Sequence, residues 1–353
     1  MFPEFRTFET TLAGRPLKVE TGKMAGLAGG SCLIRYGETE ILCTATMSAK
    51  PREGVDFFPL SVDFEEKLYS VGKIPGSFQR REGRASEKAT LCSRVIDRPI
   101  RPLFPKDMRN DVGVVATVMS VDQDCLPEIT AMLGVSIAIS ISEIPWDGPI
   151  AGVSVGLVDG QFVINPTEEQ RAKSEMAVTV ASTADLVAMI EAGAKEVDNE
   201  TMFDGIMYAH KVNQELVEFI KGIQKEVGKE KVPFESQDPD PAMFEAVKDF
   251  AIDMVKEALD TDDKRIRDER LKPVLVAVGI DDNLVTGFFQ AFTSRLYLRD
   301  FQSEWFQKDD FHFAAIISIS TKAFLGSSFT AKAARAGQSP VKYLAYTAFI
   351  SPK

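Results

Sequence analysis

Nine cationic side chains lie close together in a chain that is otherwise strongly acidic. The cations are Arg80, Arg81, Arg84, Lys88, Arg94, Arg98, Arg101, Lys106 and Arg109, and the only acids among them are Glu82, Glu87, Asp97 and Asp107. The stretch therefore carries a local charge of about +5 (nine minus four), whereas the whole chain has a formal charge of -11. Guanidinium groups bind phosphate bidentately and also stack on bases, which ammonium groups cannot do. This pattern predicts a site for a polyphosphate such as RNA.

A structural role for the same arginines is the alternative. A solvated helix whose arginines pair with its own carboxylates has the same composition. Arg94 and Arg98 lie four residues apart and share one helix face. We divide Arg94, Arg98 and Arg101 evenly between phosphate contacts and structural pairing with Asp97 and Glu87.

Length and composition indicate a globular protein of two or three domains. The chain has 353 residues, of which 44% are hydrophobic and 26% charged, enough for a sizeable core. Its four cysteines form no CxxC pair, so we expect buried free thiols in a reducing compartment. The first 15 residues lack the apolar segment of a signal peptide, and no run of 18 uncharged apolar residues suits a membrane span. We expect a cytoplasmic protein that makes no membrane contact.

Hydrophobic patterning predicts an α+β or α/β domain. A long loop is expected over 67–84, followed by a helix from Ser86 to about Asp97 that ends before Pro99. A helix of small apolar residues starts at Pro127, and a long amphipathic helix is expected over 199–227. Strands are predicted over 16–24, 31–36, 40–46, 56–64, 112–121, 151–158, 161–165 and 175–182.

The chain divides into four parts on these patterns. The α+β domain spans 1–228, and a proline- and charge-rich linker spans 229–241. A helical period over 242–272 indicates the start of an all-helical domain. The aromatic-rich tail over 273–353 receives no element.

Several motifs resemble the first catalytic-type domain of bacterial polynucleotide phosphorylase. They are PGSFQRREGR at 75–84, RVIDRPIRPLF at 94–104, FFPLSVDF at 57–64, AGVSVGL at 151–157 and MIEAGAKEV at 189–197. The resemblance runs from about residue 5 to residue 272. It implies an RNase PH-type β-α domain, with the two-layer fold seen in some ribosomal proteins, followed by an all-helical domain.

The resemblance also implies an activity, a polyribonucleotide nucleotidyltransferase. Family members degrade single-stranded RNA from the 3′ end with inorganic phosphate as co-substrate and Mg²⁺ as cofactor, release nucleoside diphosphates, and catalyse the reverse polymerisation. They form a homotrimeric ring with an RNA channel and can join RNA-degradation complexes in mRNA turnover. Carried over by position, the RNA contacts are Phe78, Arg80, Arg81 and Arg84, with Arg94, Arg98 and Arg101 as further candidates. This chain has Gln79 where family members usually carry a second Phe.

The catalytic parts of the family are not recognisable here. In the family, a second RNase PH-type domain supplies the phosphate-holding and metal-binding residues, and it begins near an Arg-x-Asp-Gly-Arg motif that this sequence lacks. Ala177 stands where an active-type domain has an acidic residue, and we expect His210 and His312 to be structural. Catalytic residues are therefore unknown, and we predict no metal ligand in this chain. Residues 273–353 resemble no family segment, and either a frame slip or a divergent tail explains them.

Two functions of different classes follow. The first is a phosphorolytic 3′→5′ exoribonuclease, of which this chain resembles the N-terminal RNA-channel half. The second is a non-catalytic RNA-binding or oligomerisation module that retains the channel loop. A metabolic enzyme for a small phosphorylated compound has little support, because the glycines over 26–30 lack the Lys-Ser/Thr ending of a phosphate loop and indicate a turn.

Overall fold

The computed structural model describes residues 2–52, 54–55, 57–76, 78–234, 236, 241–261 and 263–277. These residues fall into two compact units, divided after residue 237. Most of the predicted tail, residues 278–353, and with it His312, lies outside the described residues. The domain limits drawn from the sequence remain predictions.

The first unit contains two sheets. The six-stranded sheet has the order β1-β2-β3-β4-β6-β5, and all its pairs are antiparallel except β5 with β6. The four-stranded sheet has the order β10-β9-β7-β8 and is antiparallel. The strands are β1 Arg6–Leu12, β2 Arg15–Thr21, β3 Gly30–Tyr36, β4 Thr39–Pro51, β5 Leu60–Glu66, β6 Asn110–Ser120, β7 Ala151–Val158, β8 Gln161–Ile164, β9 Met176–Ser182 and β10 Val187–Ala194.

Four α-helices complete this unit: α1 Glu87–Ile100, α2 Pro127–Ile141, α3 Glu168–Lys173 and α4 Asn199–Val227. Helix α2 contacts β3, β4 and β7 and packs against α4, so nearly all its side chains are buried. A helix covered on all sides needs apolar or small residues all round, which explains why α2 has no polar stripe. Sheets and helices share one continuous core, and the α+β class is confirmed.

The second unit, described by itself, contains α5 Pro241–Leu259 and α6 Lys264–Ala277. Ala251, Val255 and Val274 are the buried residues of a small core, onto which Met254 and Leu259 pack. The helical period predicted from residue 242 onward is present in these two helices.

Three predicted details need correction. Helix α1 continues through Pro99 to Ile100, because a proline in the last turn removes only one hydrogen bond and both side chains are buried. The strand predicted from residue 56 begins at Leu60, where the ladder with Val112 starts, because Pro59 has no N–H to donate. Strands β1 and β10 and the short helix α3 were not predicted.

All four cysteines are free and buried, as predicted. Burial raises the pKa of Cys43 well above its usual value and that of Cys92 to about 12. Neither thiol is therefore a ready nucleophile near neutral pH.

Within the described helices, none combines the length and apolar character that crossing a bilayer requires.

The segment after α4 is fastened to the end of α2. Lys229 N–H donates to Ile141 O at 3.0 Å, and Val232 N–H donates to Glu143 O at 2.9 Å. The Lys231 ammonium donates to three carbonyl oxygens at this helix end, at 2.7–3.1 Å. A cation at a helix C-terminus satisfies carbonyls that lack a partner within the helix. Residues 229–234 therefore continue the packing of the first unit.

The variant Lys231→Ala is expected to lower the free energy of unfolding by about 2 kcal/mol, since three carbonyls lose a charged donor. The measurement is urea unfolding followed by circular dichroism. Lys225→Ala, at an exposed position in the last turn of α4, is the matched control and should stay within about 0.5 kcal/mol of the parent. Equal midpoints for the two variants would contradict the capping role.

Candidate nucleic-acid interface

The loop between β5 and α1 is closed at its base by one side chain. The Leu68 backbone N–H donates to Glu82 Oε1 at 2.9 Å across 14 residues, and a 3₁₀ turn over Leu68–Val71 begins at the same point. Next to this closure, Ser86 Oγ donates to Glu66 Oε2 at 2.9 Å and accepts from the Ala89 N–H at 3.0 Å. The long loop predicted over 67–84 is thus present, and it is tied to the sheet and to the first turn of α1.

The tip of this loop presents an aromatic ring and arginines to solvent. Phe78 is 103% exposed, although a phenyl ring normally gains stability by burial. Arg80 has φ +53°, a left-handed backbone conformation that non-glycine residues seldom adopt. Arg80, Arg81 and Arg84 are all exposed, and no carboxylate of a described residue lies within 4.0 Å of their charged nitrogens. These cations are therefore available to an anionic ligand.

Helix α1 continues the positive surface. Its inner face, which includes Ala89, Cys92 and Ile96, packs into the core. Arg94 and Arg98 are exposed on the opposite side, and no carboxylate among the described residues is within 4.0 Å of either guanidinium. Pairing of these two arginines with Asp97 or Glu87, the structural alternative drawn from the sequence, does not occur in the described part of the chain.

Arg98 has an acidic neighbour from a distant part of the sequence. Burial raises the pKa of the half-buried Glu191 carboxyl on β10, and the positive charge of Arg98 opposes this increase. Glu191 lies 93 positions further along the chain, so helical spacing alone could not predict it. The Arg98 side chain is nevertheless exposed on the helix surface.

Arg101 differs from the other arginines because its side chain is fully engaged. Arg101 Nε and Nη2 donate to the two Asp97 carboxylate oxygens at 2.9 and 2.6 Å. Its guanidinium also donates to Leu60 O at 3.1 Å and Phe58 O at 3.4 Å. A second residue of α1 contacts the same strand, since Ser93 Oγ accepts from Phe64 N–H at 3.0 Å. These contacts give hydrogen-bond partners to some backbone groups at the outer edge of β5, a strand that pairs with β6 alone in the described part of the sheet. The geometry favours the structural alternative for Arg101.

The variant Arg101→Ala is expected to lower the free energy of unfolding by about 1–2 kcal/mol, because the Asp97 carboxylate and the edge carbonyls lose their donors. Urea unfolding provides the measurement. Arg94→Ala removes an exposed arginine without such contacts on the same helix and should shift stability by less than about 0.5 kcal/mol. If Arg94→Ala is the more damaging of the two, this assignment is wrong.

Sequence reasoning missed two residues of this surface as functional candidates. Glu82 counted only as a negative charge, yet it closes the loop. Lys88 is exposed on α1 in line with the arginines. The position of Lys88 within the charged stretch could have identified it as a candidate. The role of Glu82 could not be predicted, because its hydrogen bond is to a backbone N–H that no sequence pattern indicates.

The chemistry of this surface is binding. Exposed guanidinium groups and an exposed ring can hold phosphates and stack on a base. Residues 2–277, apart from the nine undescribed positions among them, contain no group of three or more His, Cys, Asp or Glu side chains placed to hold a metal ion. Ala177 is exposed on β9, and His210 is buried on α4.

Two family models match the chain in adjacent segments. The 3′ exoribonuclease family, domain 1, matches residues 13–145, and domain 2 of the same family matches residues 148–212. A polyribonucleotide nucleotidyltransferase of Ruminiclostridium cellulolyticum is 61% identical over 267 residues, and one of Clostridioides difficile is 56% identical over 271 residues. These alignments cover 76% and 77% of this chain but 38% of each relative, so the chain spans less than half of their length.

A solved structure of rice (Oryza sativa) Rrp46 aligns with 62% of this chain and 94% of its own, at a TM-score of 0.47 and 12% identity. The two family models together cover more than half of the 353 residues. The resemblance to polynucleotide phosphorylase is confirmed, and the chain belongs to the 3′ exoribonuclease family.

Proposed function

We propose that this chain holds single-stranded RNA for phosphate-dependent degradation from the 3′ end. The observation that carries the proposal is the loop tip, where Phe78 is fully exposed and three arginines lack carboxylate partners among the described residues. Family membership supports the same reading, since two of its relatives are named polyribonucleotide nucleotidyltransferases. The proposed RNA contacts are Phe78, Arg80, Arg81, Arg84, Arg94 and Arg98, whereas Arg101 positions α1 against the sheet.

The surface suits a single strand better than a duplex. An unpaired base exposes its face, and stacking of that face on an aromatic ring is worth roughly 1–3 kcal/mol for any base. In a duplex both faces of most bases are covered by neighbours, so Phe78 has no partner there. The arginines contact phosphates and carry no sequence information. We therefore expect RNA binding that depends on single-strandedness and on salt but little on sequence.

Replacing Arg80 by Asn and Arg81 by Gln is expected to weaken single-stranded RNA binding roughly tenfold and to reduce the salt slope by about 1.4, or 0.7 for each lost phosphate contact. Asn tolerates the left-handed backbone of residue 80, so the loop keeps its conformation. Fluorescence anisotropy between 50 and 200 mM salt gives both quantities. Lys211→Gln with Lys225→Gln, exposed on α4, removes the same charge elsewhere. An unchanged slope in the loop variant would count against the arginines.

Phosphorolysis further requires a co-substrate and a metal. We infer that inorganic phosphate attacks the phosphorus of the 3′-terminal phosphodiester, that the P–O3′ bond to the preceding nucleotide breaks, and that the terminal nucleotide leaves as a nucleoside diphosphate while the shortened strand keeps a 3′-OH. The described residues do not fit Mg²⁺, because no sufficient donor set occurs among them. We assign no metal ligand to the described residues. A cytoplasmic homotrimeric ring with RNA in its channel, able to join an RNA-degradation complex, is the proposed assembly.

A non-catalytic RNA-binding or oligomerisation module is the second candidate. The lack of a metal-holding cluster in the described part of the chain favours it for this chain taken alone. Both candidates use the same RNA surface, so binding data cannot separate them. The difference lies in turnover.

Turnover is tested by incubating the purified chain with end-labelled poly(A), inorganic phosphate and Mg²⁺. Nucleoside diphosphates that appear only when phosphate is present would establish phosphorolysis by this chain. Retained RNA without diphosphates would support the non-catalytic candidate. No retention and no product would contradict both.

A further inference from the structure

We propose that Gln79 gives this chain a preference for adenine at the nucleotide that stacks on Phe78. This inference rests on the proposed function and deepens it, because it assigns a base preference to one position of a surface that otherwise contacts ring faces and phosphates. Gln79 is neither part of the loop closure nor one of the RNA contacts proposed above.

Gln79 lies beside the stacking ring at the loop tip. Phe78 and Gln79 together form a turn, and both side chains are exposed. The next residue, Arg80, has φ +53°, a conformation that defines the direction of the backbone after the turn. The base of the loop is closed by the hydrogen bond from Leu68 N–H to Glu82. The Gln79 amide is therefore presented next to the ring, within reach of a base stacked there.

The polar atoms of Gln79 are available to a ligand. Its side-chain amide makes no hydrogen bond of 3.5 Å or less to a described residue. An amide carries an NH₂ donor beside a carbonyl acceptor, so it can pair with a base edge that offers an acceptor next to a donor. A base stacked on Phe78 has one face covered and its hydrogen-bonding edges open. One nucleotide can thus use both side chains at once.

Adenine fits this pair of side chains better than the other bases. Its N6 amino group lies between two acceptors, N1 and N7, so glutamine can pair with either edge. Guanine offers a donor beside an acceptor on one edge only, because its O6 and N7 are both acceptors. Uracil and cytosine have matching edges, but their single rings have less surface to stack on Phe78. Because the pairing stays exposed to water, we expect a preference of about 3- to 10-fold.

The test compares four 12-nucleotide strands bound by the full chain, measured by fluorescence anisotropy: A12, U12, and strands of purine riboside and of inosine. Purine riboside keeps the adenine ring with N1 and N7 but lacks the N6 amino group. The parent should therefore bind A12 about 3- to 10-fold tighter than the purine riboside strand. A12 should also bind tighter than U12, with part of this difference due to stacking.

In Gln79→Ala, the affinities for A12 and for the purine riboside strand should agree within about twofold. The salt slope should stay unchanged, because no phosphate contact is lost. Gln161→Ala, which removes an exposed glutamine at the start of β8, is the matched control and should keep the full preference. Circular dichroism checks the fold of both variants.

Three results would overturn the assignment of Gln79. One is equal binding of A12 and the purine riboside strand by the parent, and another is an A12 preference that Gln79→Ala keeps or that Gln161→Ala also loses. The third is tighter binding of the inosine strand than of A12, which would assign base recognition to an arginine that pairs with O6 and N7. Failure of the proposed function looks different, because the parent would then bind none of the four strands.

Discussion

Phe78→Ala is expected to weaken binding of single-stranded RNA by 5- to 150-fold while leaving the salt dependence unchanged. The ring is fully exposed at the loop tip, so its removal costs the protein no core packing. The lost free energy is that of one stacked base, roughly 1–3 kcal/mol. Since no phosphate contact is removed, the slope of log K against log salt stays constant. Anisotropy with U12 at several salt concentrations measures both quantities.

Phe78→Tyr is the conservative control for this prediction. Tyrosine retains a ring that can stack, so its affinity should stay within about threefold of the parent. Leu27→Ala provides a second comparison, because Leu27 is equally exposed on another loop of the same unit. A loss in Leu27→Ala as large as that in Phe78→Ala would show that general surface hydrophobicity, and not stacking at the loop, drives binding.

Gly30→Ala is expected to destabilise the first unit by about 3 kcal/mol or more. A Cβ at residue 30 would lie 2.1 Å from Ala138 O and 2.9 Å from Ser142 Cβ, both at the C-terminal end of α2. The clash involves backbone, which cannot rotate away, so β3 and α2 would have to separate. Urea unfolding followed by circular dichroism measures the loss.

Gly26→Ala is the matched control, in the loop that precedes β3. A Cβ there meets no atom within 4 Å, and we expect a change of less than about 0.5 kcal/mol. Similar losses in both variants would mean that this segment tolerates no side chain at either position, and similar small changes would mean that α2 does not press on β3 as described. The glycines at 26–30, judged from the sequence to be a turn and not a phosphate loop, thus include one that packing requires.

The parts of the fold that the sequence predicted are those in which one chemical pattern decides the structure. Alternation places Cys32, Ile34 and Tyr36 of β3 in the core, and helix α2 follows from a run of apolar residues. Strand β1 is an edge strand that is largely exposed, and β10 carries few buried residues, so neither has a clear pattern. The continuation of α1 through Pro99 depends on tertiary burial that overrides the proline.

The candidate site, too, could be predicted from the sequence only in part. The exposed loop with Phe78 follows from a glycine-rich segment between a strand and a helix, and the cations follow from composition. The hydrogen bond of Arg101 to β5 and the proximity of Arg98 to Glu191 could be found only from the folded structure, because these partners are remote in sequence. Helical spacing indicated only which arginines share a face; it could not show which of them already had partners.

Crosslinking of a single strand that contains 4-thiouridine tests directly whether the loop tip holds single-stranded RNA. The full chain is irradiated with a U12 analogue, digested, and analysed by mass spectrometry to locate the modified residue. We expect the main crosslink in the loop peptide with Phe78 and a second in α1, and we expect a duplex of the same sequence to yield neither. A main crosslink on α4 or on β7–β10, with the loop unmodified, would contradict this expectation.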